Sequence, residues 1–415
     1  MTEPPSSRDQ FKRLTVLIAT NCVDMIGFMI VVPLLPFYAL DMAATPIMIG
    51  WIIASHAIAQ LVAAPIWGRL SDRFGRRPIL LISLTASAGG FLVFGLANTV
   101  LLLFLSRIIQ GMGGGTTGVA QAYVADTIPP AQRARALGWL SAATSAGVIL
   151  GPALGSLAAH WGQAAPGFIA AGLSMVNVFF AWRWLPESRT AEERSASRRD
   201  ASPVWHTVWQ VLRHPLRPVA SLIWVYAVGM LAFAAMTSVV ALYLEAEFGV
   251  TAKTIGYFFV YIGALSFIMR SVLLGPVVDR IGEYTAMSLG TVSLAIGLIL
   301  YPLVPNLWTL IAIMPLVPIG TALLFPSTTS LMSQHSARSD VGAVMGAAQT
   351  YAGLSRVIAP LAATAAFQRL GHGTPFWLAA GLVVLVGLWT LRLPRPAAAD
   401  LAGDAAAAAQ PTQAS

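Results

Sequence analysis

Apolar runs of about twenty residues recur along the whole chain, separated by short polar connections. They cover approximately residues 14–40, 47–70, 79–97, 100–124, 136–160, 166–185, 218–244, 253–277, 285–304, 307–333, 342–368 and 375–392. A helix of about 20 residues crosses a bilayer core. The pattern therefore predicts an all-α membrane protein with twelve transmembrane helices. The longest polar connection, 186–217, contains the charged, Ser/Ala-rich run ESRTAEERSASRRDASP and divides the chain six plus six. It reads as a mobile cytoplasmic linker with a surface helix near Trp205 to Leu212. The expected organisation is a cytoplasmic N-terminus (1–13), a six-helix bundle (14–185), the linker (186–217), a second six-helix bundle (218–392) and a disordered cytoplasmic tail (393–415).

Composition agrees. Hydrophobic residues make up 57% of the 415 and charged residues only 10%, against about 25% in soluble proteins. The net charge of +8 would suggest a nucleic-acid partner on a soluble protein. Here 20 of the 25 Lys and Arg fall at or beyond the segment ends on one side, and only Lys253 and Arg369 fall on the other. That bias places both termini in the cytoplasm. The single cysteine, Cys22, excludes an internal disulfide. The polar first ten residues and the long first apolar run do not match a cleavable signal peptide.

The two halves repeat. GRLSDRFG at 68–75 aligns with GPVVDRIG at 275–282 at an offset of 207, and Pro152 pairs with Pro360 at an offset of 208. Two halves of the same orientation imply a pseudo-two-fold along the membrane normal with a central cavity between them.

Few polar side chains lie within apolar runs, and each is a candidate. Asp24 is the only carboxylate deep in a segment. A carboxylate at bilayer depth costs several kcal/mol or takes up a proton, so its face, shared with Asn21 and Phe28 by spacing, must look at protein or water. Arg107 and Gln110 lie in segment four, beside a glycine-rich run that no strand precedes, which excludes a phosphate loop. The pairs Gly111/Gly115 and Gly114/Gly118 suit close helix packing. His56 with Gln60, and Arg356 in segment eleven, are further cavity candidates; Arg270 reads as a snorkelling side chain. Tyr226, Phe233, Tyr261, Phe325 and Tyr351 could line a cavity or simply pack. Gly147, Gly151, Pro152 and Gly155 in segment five combine a kink with a surface that admits a close neighbour. In the loop GRLSDRFGRRPIL, Gly68 and Gly75 are expected to permit a tight turn, and Pro78 to start the next helix.

This thirteen-residue loop resembles the hallmark loop between helices two and three of the major facilitator superfamily, and the likeness covers essentially the whole chain. The resemblance implies that Asp72 latches onto the start of helix eleven, and that Arg73, Arg76 and Arg77 join a charge cluster at the cytoplasmic helix ends. The second copy keeps Asp279 and Arg280 but carries Glu283 and Tyr284 where basic residues would stand. Arg107 resembles the family's helix-four arginine, linked to proton transfer. The G-x-x-x-G-P-x-x-G run resembles the motif of its exporters. Asp24, followed by Ile26-Gly27 and then Pro33 and Pro36, resembles the twelve-helix drug:proton antiporters, including tetracycline and multidrug exporters.

The expected function is proton-coupled export of amphipathic small molecules or drugs by a monomer in a bacterial inner membrane. The alternative is a proton-coupled importer, or an exporter of a specific metabolite, with the same fold. The segments carry no paired carboxylates, metal-ligand cluster or nucleophile–His arrangement, so neither an enzyme, a metal nor a cofactor is expected.

Overall fold

A computed structural model describes residues 7–188, 204–337 and 340–390. The expected disordered tail, the run 189–203 of the linker, and Arg338 lie outside these residues. Within them the chain is all-helical, without strands. Among the described residues, nine helices are long and apolar enough to cross a membrane by length and composition.

In chain order the helices are α1 (Ser7–Val31), α2 (Leu35–Asp41), α3 (Pro46–Phe74), α4 (Arg76–Gly95), α5 (Val100–Gly113), α6 (Thr116–Thr127), α7 (Pro130–Ala158) and α8 (Ala165–Trp184). Then come α9 (Val204–Arg213), α10 (Pro218–Phe248), α11 (Ile255–Ile268), α12 (Leu274–Ile281), α13 (Glu283–Leu300), α14 (Leu307–Ile313), α15 (Leu316–Gln334), α16 (Val341–Leu370) and α17 (Thr374–Thr390).

Several starts carry side-chain caps. Thr45 accepts from Met48 N, Thr99 from Leu102 N and Asn306 from Thr309 N, at 3.4, 3.3 and 2.9 Å. Four apolar runs are interrupted. The first breaks at Val32–Leu34, around Pro33, and the run 307–333 breaks at Met314–Pro315. The run 100–124 breaks at Gly114–Gly115, so neither piece is long enough to span on its own. A π-turn, Met269–Leu273, joins α11 to α12.

Helices α1 to α8 pack mainly on one another: α1 on α7 and α8, α4 on α5 and α8, α3 on α5. Helices α10 to α17 do likewise: α13 on α15 and α17, α10 on α16 and α17. Two principal crossings join the groups, α3 on α16 and α7 on α11. Large apolar side chains such as Leu101 and Val62 stay exposed on the outside, as a lipid-facing surface requires. The amphipathic α9 buries Val208 and Val211 and leaves Trp205 and Trp209 exposed.

The repeat is visible in the backbone. Gly75 ends α3 and begins α4 with φ 104° and ψ 160°; Gly282 does the same between α12 and α13 with φ 75° and ψ 160°. Positive φ at both explains why glycine recurs there. Gly68 lies inside α3 with open space where a β-carbon would be, so it makes no turn, and the expectation that it does is corrected.

Candidate functional site

Asp24 sits partly buried in the apolar part of α1. Thr116, the first residue of α6, lies beside its carboxylate, and the Thr116 hydroxyl donates to the Gly113 carbonyl at 3.3 Å. The break at Gly114–Gly115 creates that helix start, where the positive end of a helix dipole favours an anion. Among the described residues, no ion pair joins Asp24 to Arg107 or Arg356.

One turn on, Phe28 stacks near His56, with ring centroids 5.1 Å apart. The Arg107 guanidinium lies over the same ring, 5.4 Å from its centroid. Arg107 is buried at 3% exposure, and its Nη1 donates to Gln110 Oε1 at 2.5 Å. Arg107 Nε, Gln110 Nε2 and His56 Nδ1 are buried without a hydrogen-bond partner. Gly111 allows this approach of α5 to α3: a β-carbon there would overlap the His56 carbonyl and lie 2.8 Å from Ala59 Cβ.

Most other candidates have partners of their own, and Arg356 approaches this group from α16. Asn21 turns to α7, where its amide donates to Thr144 Oγ1 at 2.7 Å and to the Leu140 carbonyl at 3.3 Å. Gln60 donates to the Gly114 carbonyl at 3.2 Å, holding the helix break. Arg356 is exposed on α16, and it and Arg107 both lie within electrostatic reach of His56. Tyr226 packs edge-on to Phe325 at 5.4 Å, with Phe233 6.5 Å beyond, and its hydroxyl accepts from Gln349 at 3.4 Å. Arg270, in the π-turn, lies within electrostatic reach of Tyr226. Tyr261 and Tyr351 spend their hydroxyls on the carbonyls of Ile311 and Val208, at 3.3 and 2.9 Å.

The charged loop makes several contacts within its own half. Arg76, 5% exposed, pairs with Asp72 at 2.8 Å and with Asp126 at 2.9 Å, and donates to Ser71 Oγ at 2.5 Å. Glu187 accepts from the backbone N–H of Arg76 and Arg77 at 2.8 and 3.3 Å, and Arg77 donates to the Trp182 carbonyl. Arg73 lies over the Phe74 ring at 5.2 Å.

The two halves meet at the opposite end. Gly256 N donates to Ser156 Oγ at 2.7 Å, and Ser156 donates to the Ala252 carbonyl at 3.1 Å. Ile47 N donates to Gln368 Oε1 at 3.0 Å. A β-carbon at Gly50 would overlap Thr364 Oγ1 and lie 2.9 Å from the Pro360 carbonyl. Helix α7 therefore uses Pro152 and Ser156 against α11, while its glycines receive α1. A β-carbon at Gly147 would lie 2.7 Å from Met25 Cβ, at Gly151 2.9 Å from Ile26 O, and at Gly155 2.5 Å from Ile30 O.

Sequence reading missed Thr116, Gly50, Ser156 and the capping Glu187. Only Thr116 carries a local signal, a Thr directly after a glycine run. The rest depend on which helices meet.

Comparison with known proteins agrees with this architecture. The chain is 26% identical over 376 residues to the tetracycline resistance protein, class B, of Escherichia coli, covering 90% of this chain and 92% of that one. It is 28% identical over 388 residues to multidrug resistance protein 2 of Bacillus subtilis (strain 168), covering 92% and 95%. Among solved structures, the human organic anion transporter MFSD10 (TETRAN) superposes with a TM-score of 0.69 over 92% of this chain and 99% of that one, at 22% identity, which speaks to fold alone. The family model described as Major Facilitator Superfamily matches residues 17–282 and again 264–413. With nine apolar spanning helices and that match over nearly its whole length, the chain is an integral multi-pass membrane protein and belongs to the Major Facilitator Superfamily, a family of transporters.

Proposed function

We propose that the chain is a proton-coupled exporter of amphipathic drugs that works by alternating access as a monomer. The observation that carries the reading is Asp24: a carboxylate in an apolar helix, at the start of α6, with no cation paired to it among the described residues. A group held this way can exchange a proton without dismantling the fold. The names of the relatives, tetracycline and multidrug resistance proteins, support drugs as the cargo.

In this reading all twelve apolar segments span a bacterial inner membrane as two six-helix bundles, with both termini and the linker in the cytoplasm. The basic end is then cytoplasmic. The end joined by Ser156–Gly256 and Gly50–Thr364 then faces outward. In this reading the outward-open state is held by Asp72 on helix eleven, with Arg73, Arg76 and Arg77 in the cytoplasmic cluster. Protonation of Asp24 from outside releases the cargo, and deprotonation inside resets the site. One charge moving through 100 mV supplies about 2.3 kcal/mol, or roughly fifty-fold accumulation.

The test uses everted membrane vesicles with a pH-sensitive dye and a panel of cationic, zwitterionic and anionic drugs. A drug should release protons from wild-type vesicles and not from Asp24→Asn vesicles containing the same amount of protein. Equal release by the two refutes the role of Asp24.

A further inference from the structure

We propose that the exporter's site takes a carboxylate-type anionic group, held at Arg356 in a basic pole built from Arg107, His56 and Arg356. This rests on the reading that the region between the halves is the cargo site.

Arg107 is buried and has only a neutral partner, the Gln110 amide oxygen, and the face of Phe28. Among the described residues no carboxylate pairs with it or with Arg356. Removing a guanidinium from water costs several kcal/mol unless a counter-ion returns it. Its Nε, together with Gln110 Nε2 and His56 Nδ1, is a buried nitrogen without a hydrogen-bond partner, and these three belong to one packed group around Phe28. Buried polar groups are almost always satisfied, so a cluster left open suits a ligand with acceptors to spare.

Arg356 is the accessible member. On α16, Gly353 faces Leu61 of α3, and Pro360 and Thr364 face Gly50 of α3. Arg356 is three residues after Gly353 and four before Pro360, which puts it on the same helical face, turned to the helix that carries His56. An anion entering between the halves meets Arg356 directly, while Arg107 behind Phe28 keeps the wall positive. Guanidinium and carboxylate match as a bidentate pair. Asp24 stands a turn away from Phe28 along α1, about 6 Å of rise, on the side of Thr116. The edge-on aromatics Tyr226, Phe325 and Phe233 offer an apolar wall near α16 for the anion's body.

The experiment is equilibrium binding to purified full-length protein in lipid nanodiscs. The probes are nalidixate (a monoanion), norfloxacin (a zwitterion) and tetraphenylphosphonium (a cation). Arg356→Gln should weaken nalidixate by at least about tenfold, the size of one lost charge-assisted hydrogen bond. Arg356→Lys should recover most of that loss. Tetraphenylphosphonium should bind Arg356→Gln as well as wild type or better. A norfloxacin affinity that falls with both Arg356→Gln and Asp24→Asn identifies the anion as one end of a zwitterion; a fall with Arg356→Gln alone identifies a simple anion.

Nalidixate affinity unchanged by Arg356→Gln overturns the proposal. So does an equal loss of the cation, or a wild-type protein that binds neither carboxylate probe. Charge-selective binding without drug-driven proton release removes the antiport reading and leaves the basic pole standing. Asp24-dependent proton release with cations only does the reverse.

Discussion

Gly155 should tolerate no side chain, and the cost can be worked from its surroundings. A β-carbon there would lie 2.5 Å from the Ile30 carbonyl oxygen and 3.2 Å from both Ile30 C and Cα, all backbone of α1. Ordinary carbon–oxygen contact begins near 3.4 Å, so α1 and α7 must part by most of an ångström, since no flexible side chain can swing away. Overpacking of this kind costs about 1–3 kcal/mol. Gly138 is the control on the same helix, with open space where its β-carbon would be. Gly→Ala in a helix interior otherwise gains about 0.5–1 kcal/mol. The two substitutions are chemically identical and should have opposite signs: Gly155→Ala lowers the apparent melting temperature of detergent-solubilised protein by several degrees, and Gly138→Ala leaves it level or raises it. Fluorescence-detected size-exclusion after graded heating reads both. Equal shifts would refute the claim that backbone contact between α1 and α7 is what demands glycine at 155.

The charged loop and the seam between the halves give further predictions. Arg76→Gln removes two ion pairs, to partners that are only partly exposed, and should destabilise by about 2–3 kcal/mol; Arg69→Gln on the same loop, at an exposed position, should stay within about 0.5 kcal/mol, and the same heating assay compares them. Gly50→Val places bulk against Thr364 and the Pro360 carbonyl. Spin labels at exposed Met48 and Leu370, in a Cys22→Ser background, should then report longer distances by pulsed electron spin resonance; an unchanged distance distribution would mean that this contact does not hold the halves together.

Helix content was readable because long apolar runs leave a chain no alternative in lipid, where every backbone group must be satisfied within the segment. Breaks were less readable. Pro33 announces the end of α1, but the interruption at Gly114–Gly115 depends on Gln60 reaching the Gly114 carbonyl and on Trp67 standing where a β-carbon of Gly115 would go. The apolar rule also understates helices that line contacts between halves: α16 runs 30 residues yet carries Gln349, Ser355, Arg356 and Thr364, and is absent from the nine clear spans. The site divides in the same way. Asp24, Arg107 and His56 stand out in sequence because polarity in an apolar run is conspicuous, whereas Asn21 shares that signal and turns out to tie α1 to α7. Spacing gives a face, and only packing says what the face meets.

The repeated turns show the same limit from another side. Position 76 of the first half corresponds to position 283 of the second at the offset of 207. Residue type is inverted between them, Arg against Glu. Yet Arg76 ties its turn to Asp126 on α6, and Glu283 ties its turn to Ser330 at 2.5 Å and Gln334 at 2.7 Å on α15. The geometric task is common to both halves: a helix start is pinned to a neighbouring helix just after a glycine at positive φ. What differs is the sign of the charge offered at that end. The first half ends in a buried cation coordinated by two acids, one of them half-exposed and able to change partner; the second ends in an anion bound to neutral groups. An ion pair with an exposed member exchanges at small cost, about 0–1 kcal/mol for the surface contact. Asp72 can therefore act as the movable element of the first turn, while the second, which among the described residues has no exchangeable partner of opposite charge, serves as the fixed one.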